Sequence, residues 1–456
     1  MKITPYGGAG EIGGSKILLE AAGTRVFLDF GESFDRYDKY YRGIDFLDKP
    51  RKSLGLKDYI EMEMIPPMEG VYSEAALKFT DRLKYKDPQY DAVIISHIHG
   101  DHFNDVRWLD KKLPVYMGAG AKKLNDAYND CYVMFKSPDN GNVKEFSTGQ
   151  AFTVKNIKVT PMAVDHSTPG AYGFIIETPE GNVVYTGDYR FHGFAPEMTE
   201  KFIQAASGKK INLLITEGTR VKGEDTDARV KKDITEPGVE EELYAAIKNC
   251  GGLCCVSFSV RNIDRLRSLL NAAKKAGKVV AGSTRMAYIM DKAGALIKGL
   301  PQPKGNTGFK VFKKNAESDY EKNYPYEKQY LDNRVDYKWV SQNAGDCVMF
   351  MADHELHQLI DIKPKKGVFI FSTAEHYLEG PGFEKKKETL MNWLAHFNMS
   401  FEHIHCSGHT DRQGIERAIK TINPETVMPV HTQNPEAFKE MWGKVILPEK
   451  GRTEGF

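Results

Sequence analysis

The chain has 456 residues, 41% hydrophobic and 27% charged, with a formal net charge of +1. That is the balance of a globular protein, and at roughly 100–200 residues per domain it calls for two or three domains. No run of about 18 apolar residues occurs, so no transmembrane helix is indicated, and the near-neutral charge leaves any polyanionic partner dependent on a local basic surface.

The opening MKITPYGGAGEIGG lacks the basic start and apolar stretch of a secretory signal, so a cytoplasmic setting is expected. Gly8 to Gly13 is a literal GxGxxG, but the glycines run into SKILLE, a strand. A dinucleotide fingerprint needs a helix opening there, so the segment reads as a close backbone approach. Up to about residue 218, short strands follow one another in KILLEAAGTRVFLDF, DAVIISH, AFTVKNIKVTPMAV, AYGFIIETPEGNVVYTGD and INLLITEG. PEG is a hairpin turn, and SEAALKFTDRLKY carries a helical pattern. Such interleaving predicts a layered α/β domain.

Residues 221–235 are almost wholly polar and read as a crossover. Then EEELYAAIKNC, GGLCCVSFS, NIDRLRSLLNAAKKAG and KVVAGS alternate helix and strand as in a parallel, doubly wound sheet. The Lys- and Tyr-rich stretch from about 300 to 345 reads as an irregular excursion, and GVFIFST as another buried strand. The last 60 or so residues return to short strands around His409 and His431, with the helix DRQGIERAIKTI between them. Six cysteines, at 131, 250, 254, 255, 347 and 406, form no CxxC pair and read as core thiols.

The chemistry is concentrated in Ser96-His97-Ile98-His99-Gly100-Asp101-His102, directly after the strand DAVIIS. His97 and His99, two apart, can face one way in extended chain, and Gly100 permits a bend that turns Asp101 and His102 to a second position. Two metals need more donors than one loop supplies. His166 after KVTPMAV, Asp188 after NVVYTG and His431 after TVMPV stand at the ends of other strands. His354 and His357 are completed by no carboxylate or cysteine pattern and read as helix surface. His403 and His405 read as lining a sheet face.

HIHGDH, His166 and TGDYR, with Asp29 in FLDFG upstream, resemble the ordered motifs of the metallo-β-lactamase superfamily. The resemblance implies that His97, His99 and His166 bind one zinc and Asp101, His102 and His431 the other, with Asp188 bridging. Asp29 would orient the histidine loop by hydrogen bonding. About 240 residues separate Asp188 from His431, and an insertion of that size is similar to the β-CASP nuclease branch, which includes ribonuclease J-like RNA-processing nucleases. Glu217 in ITEGT, His409 in CSGHT and His431 in PVHT match that branch's later motifs. Histidine at the last position marks the RNA-acting members, where DNA-acting ones tend to have valine. The further C-terminal domain of ribonuclease J is not expected here, since the chain ends about 25 residues past His431.

The resemblance implies a metallo-β-lactamase αββα sandwich, residues 1–220 and 386–456, with a parallel α/β β-CASP-type domain inserted at 221–385. The implied activity is a zinc-dependent ribonuclease in RNA processing or decay, exo- or endonucleolytic. Two Zn2+, with Mn2+ able to replace them, would share the attacking hydroxide. Asp101 and Asp188 would hold the ions, while His409, oriented by Glu217, would protonate the leaving oxygen. Arg261, Ser372, Thr373, Ser407 and Gly408 are candidates for substrate phosphate. The expected partner is RNA, single-stranded, without a membrane; a homodimer is allowed. The competing readings are a DNA nuclease or an ester or lactone hydrolase on the same fold, and a non-catalytic RNA-binding scaffold.

Overall fold

A computed structural model describes residues 1–42, 50–131, 141–221, 234–294, 296–297, 300–314, 325–379 and 383–456. The polar crossover expected at 221–235 falls almost wholly outside them. The chain divides into two compact units. One comprises Met1–Lys122, Ser137–Val230 and Gly408–Phe456; the other comprises Lys123–Lys136 and Lys231–Ser407.

The first unit carries two sheets. The strands β1 (Lys2–Gly7), β2 (Lys16–Ala21), β3 (Thr24–Leu28), β4 (Ala92–Ile94), β5 (Val115–Gly118) and β6 (Val143–Phe146) lie side by side in chain order, with β20 (Glu454–Gly455) beyond β1. The other sheet is ordered β19 (Thr426–Val430), β11 (Leu213–Glu217), β10 (Gly181–Tyr185), β9 (Tyr172–Thr178), β8 (Ile157–Ala163) and β7 (Phe152–Val154). Alternation decides which side chains fill the space between them. Phe174, Ile176, Val183, Tyr185 and Ile215 pack against Ile17, Leu19, Val26, Leu28 and Ile94 of the first sheet. Their neighbours Ile175, Val184 and Leu214 point the opposite way, onto Phe202, Ile203, Ile415 and Ile419. Those four belong to the helices Pro196–Ser207 and Arg412–Ile422, so the layering is that of the αββα sandwich. The helical pattern at SEAALKFTDRLKY yields only Glu74–Leu77, because Phe79 is left exposed and nothing buries a continuing face.

The second unit holds one wholly parallel sheet, ordered β15 (Arg334–Val335), β14 (Phe309–Phe312), β13 (Val279–Gly282), β16 (Cys347–Phe350), β12 (Leu253–Ser257), β17 (Gly367–Phe371) and β18 (Met399–His403). Covered strands need no alternation, and β12 and β16 are buried at every position. Two expectations change. The stretch from 300 to 345 contributes β14 and β15, the edge of this sheet. The return to the first unit comes at Gly408 rather than 386, because β18 pairs along its whole length with β17.

Candidate metal centre

Strand direction assembles the site. The strands β3 and β4 are parallel, as are β10, β11 and β19, and β8 runs with β10 because both are antiparallel to β9. Asp29, the His97 loop, His166, Asp188, Glu217 and His431 therefore all sit at or just beyond carboxyl ends of strands, where α/β sheets place ligands. The glycine segment ahead of β2 closes on the same place. A Cβ on Gly13 would lie 2.6 Å from Asp101 Cβ, Ser15 N donates to Asp101 O, and His431 N donates to Gly8 O. The close approach expected of GxGxxG serves this loop.

Three overlapping groups offer donor atoms within 4.8 Å of one another: His97, His99, His166 and Asp188; Asp101, His102 and His431; and Asp188, Glu217, His409 and His431. The outer hydrogen bonds set the tautomers. Asp29, fully buried, accepts from Ser96 N (2.6 Å), Ser96 Oγ (2.7 Å), His102 Nδ1 (2.7 Å) and Tyr185 OH (2.6 Å). With its one proton given to Asp29, Ser96 Oγ must accept from His97 Nδ1 at 3.0 Å. His166 Nδ1 donates to Gly408 O at 2.7 Å. Thr219 Oγ1 donates to Glu217 Oε2 at 2.7 Å and so accepts from His431 Nδ1 at 2.8 Å. Four rings thus turn Nε2 inward, oriented as ligating histidines are. His99 enters by Nδ1 instead, 3.1 Å from His97 Nε2 and 3.0 Å from His166 Nε2.

Inside the cluster, ring nitrogens face carboxylate oxygens. Asp188 Oδ2 is 3.2 Å from His102 Nε2 and 3.5 Å from His97 Nε2, and Asp101 Oδ2 is 3.0 Å from His431 Nε2. His102 Nε2 and Asp188 Oδ1 are buried without a well-formed hydrogen bond. Buried contacts of this kind demand a positive charge, a proton or a metal ion, between them. Burial drives His97 and His166 well below the ordinary histidine value and His99 down to about 4, the neutral form that carries a lone pair. Against burial, Asp188, Asp101 and Asp29 hold His102 well above it. A site that keeps a proton there is one a cation takes over, and the nitrogen and carboxylate donors are those that suit divalent metals. This is a divalent-metal-binding constellation.

His409 Nδ1 donates to Glu217 Oε2 at 2.9 Å, and Glu217 Oε1 accepts from Tyr189 N at 3.0 Å. Burial opposes charge on His409, but Glu217 and Asp188 outweigh it and raise the ring to about 9. Two residues of this site, Asp29 (φ 60°) and His431 (φ 52°), are left-handed without being glycine.

One phosphate candidate, Ser372, has its hydroxyl committed elsewhere. Ser372 Oγ donates to Ile404 O at 2.6 Å and accepts from Arg265 Nη1, so its proton is already placed. Thr373 O accepts from His403 Nε2, Gly408 contributes its carbonyl to His166, and the Arg261 guanidinium lies 5.0 Å from the Tyr128 ring centre. Ser407 immediately precedes Gly408 as the last residue of the second unit. Lys386 and Lys387 pair with Asp353 and Glu379. His354 is exposed beside Asp353, and His357 contacts Gln358. Sequence reasoning missed Thr219 and Tyr185, whose hydroxyls complete the network. It also missed two buried ion pairs, Arg190–Asp165 and Arg265–Glu236. Their only signal is a hydroxyl or charge beside a strand end.

Two family models match the chain: a beta-lactamase superfamily domain over residues 66–239 and a Zn-dependent metallo-hydrolase RNA specificity domain over 394–440. Ribonuclease J 1 of Streptococcus pyogenes serotype M3 is 25% identical over 437 residues, 93% of this chain and 67% of its own length. Ribonuclease J of Pyrococcus abyssi is 25% identical over 451 residues, 94% and 89% of the two chains. Ribonuclease J 2 of Staphylococcus aureus is 24% identical over 450 residues, 94% and 68%. The crystal structure of an Enterococcus faecalis protein of unknown function superposes with a TM-score of 0.76 over 99% of both chains at 21% identity, a likeness of fold alone. No helix among the described residues is long and apolar enough to cross a membrane.

Proposed function

We propose that this chain, a ribonuclease J-like member of the metallo-β-lactamase, β-CASP family, is a zinc-dependent ribonuclease of RNA processing. The observation that carries the reading is the convergence of His97, His99, Asp101, His102, His166 and His431 around Asp188. The RNA specificity match supports the substrate, since it spans both His409 and His431.

His97, His99 and His166 would hold one zinc ion and Asp101, His102 and His431 a second, with Asp188 within reach of both groups. Zinc bound there supplies Lewis acidity toward a phosphodiester and an acidified water. The chain's own residues do the rest. Asp29, Ser96, Gly408 and Thr219 fix the tautomers so that each Nε2 meets its target without reorganisation. His409, kept charged by Glu217, is the proton donor to the leaving oxygen, a role worth about 10²–10⁴-fold in rate. Glu217 itself touches no substrate; it holds Nδ1 and leaves the Nε2 proton to be transferred.

The test is to incubate zinc-loaded protein with end-labelled RNA and with DNA of matching sequence, each with a 5′-monophosphate or a 5′-hydroxyl. RNA should be cut and DNA spared, and Asp188→Asn should abolish cutting. Equal cleavage of DNA, or no cleavage of either, would sink the reading. The product ladder separates attack from an end from attack within the strand.

A further inference from the structure

The helix Phe34–Tyr41 has no buried residue, although half of its eight residues, FDRYDKYY, are aromatic. Phe34 is 39% exposed, and Tyr37 and Tyr41 are partly exposed, their rings stacked with centres 5.6 Å apart. Positions 34, 37 and 41 fall on one stripe of a helix. Aromatic rings on a helix ordinarily go into a core; these face outward.

Polar tethers hold the helix beside the metal centre. Ser33 caps it, accepting from Arg36 N, and donates to Glu11 Oε2 at 2.6 Å. Glu32 N donates to Gly100 O at 3.0 Å, and Asn104 donates to the Glu32 carboxylate. The Phe34 ring tip stands 3.3 Å from where a Cβ on Gly100 would lie. Gln433, two residues beyond His431, draws the Asp35 carboxyl downward against the larger upward push of burial. The helix is thus tied to the loop that carries Asp101 and lies beside the loop that carries His431. Its charges are matched in part: Arg36 pairs with Glu63 and Arg42 with Asp38, while Lys39 lies 5.3 Å from the Tyr40 ring centre and enters no ion pair among the described residues.

We infer that Phe34, Tyr37 and Tyr41 form a stacking platform for the bases of a single-stranded RNA whose backbone lies at the metal centre. This rests on the proposed ribonuclease function and deepens it. Base faces stack on aromatic rings whatever their identity. A platform of rings therefore selects an unpaired strand without selecting its sequence, because the bases of a duplex are already stacked. Continuity with the Gly100 loop is what assigns the patch to substrate: Phe34 adjoins the loop that carries Asp101, so a strand held there has the ring within reach of its bases.

Binding of fluorescein-labelled oligouridylate is measured by anisotropy, in protein carrying Asp188→Asn to stop turnover. Adding Phe34→Ala should weaken binding by on the order of ten-fold, with Tyr37→Ala/Tyr41→Ala additive to it and Phe34→Trp restoring it. Strands with a single abasic nucleotide, walked along the sequence, should lose affinity at one or two positions in the parent and lose nothing further with Phe34→Ala. The zinc content of Phe34→Ala on the otherwise unaltered chain reports that the centre is intact. Binding indifferent to Phe34, or weakened equally for a strand without bases, overturns the inference even if RNA is cleaved. Ring-dependent binding without cleavage counts against the ribonuclease reading and leaves the platform standing.

Discussion

His102 Nδ1 donates to Asp29 Oδ2 at 2.7 Å, and the far side of the same ring brings Nε2 to 3.2 Å from Asp188 Oδ2. On the proposed ligand assignment Asp29 orients a metal donor without touching metal, and it does the same for His97 through Ser96. An amide at position 29 keeps the size but presents one accepting oxygen to four donors, so Asp29→Asn should lower zinc affinity about 10–100-fold. Asparagine tolerates a left-handed backbone, so the φ of 60° adds no separate penalty. Competition with a chromophoric chelator measures the affinity, and parental zinc binding by this variant would contradict the assignment.

Thr219 Oγ1 stands between Glu217 Oε2 and His431 Nδ1. Thr219→Val removes the hydroxyl, keeps the shape and leaves the buried His431 Nδ1 donor unmet, at about 1–3 kcal/mol, while Glu217 Oε2 loses one donor and keeps His409 Nδ1. Turnover of RNA should fall at least ten-fold, and Thr219→Ser should recover most of it. If the valine variant matched the parent in kcat/KM, the hydroxyl would have no part in holding either group.

How much of this was legible in the sequence follows from where each donor sits. HIHGDH, His166, Asp188 and His431 could be found because each polar residue interrupts an apolar strand at its end, and Asp29 stands out the same way. Thr219, Tyr185, Asp165 and Arg190 carry no such contrast; a hydroxyl or a charge beside a turn is ordinary until its partner from another strand is known. The domain boundary was missed for a related reason. MSFEH buries only Met399, since an edge strand needs little apolar surface, so β18 reads as the polar start of a return. Likewise β14 and β15, four and two residues long, are too short to show a pattern within 300–345.

Cys250 is the one partly exposed cysteine; the other five are buried. A hydrogen bond from the Cys254 thiol, helped by Lys278 and opposed by burial, brings the Cys250 thiol down to about 6. Since the thiolate is the nucleophile, iodoacetamide should modify Cys250 ahead of the others at pH 7, with the rate falling as pH drops through about 6. Peptide mapping after partial alkylation tests this, and Cys254→Ala should move the midpoint up toward an ordinary thiol. Uniform labelling of all six cysteines in the folded protein would refute it.

Arg190 and Asp165 join the two loops that bring His166 and Asp188 to the centre. The Arg190 Nε–H donates to Asp165 Oδ1 at 3.2 Å and the Arg190 amide to Asp165 O at 2.8 Å. Thr199 Oγ1 ties both, accepting from Asp165 N and donating to Arg190 O. Both charged side chains are buried, and burial already pushes the Asp165 carboxyl up against the pull of the guanidinium. Gly193 is packed against the pair so closely that a Cβ there would lie 2.2 Å from Asp165 Oδ1. Arg190→Met strands a buried carboxylate, which should cost about 3–5 kcal/mol, whereas Arg190→Met with Asp165→Leu removes both charges and should recover much of that stability. Zinc affinity should behave differently. The apolar pair restores packing but not the hydrogen bond that sets one loop against the other, so the double variant should melt near the parent and still bind zinc more weakly. Thermal unfolding and chelator competition on the three proteins separate the two effects; a double variant that regains zinc affinity in step with stability would mean that the pair serves the fold alone.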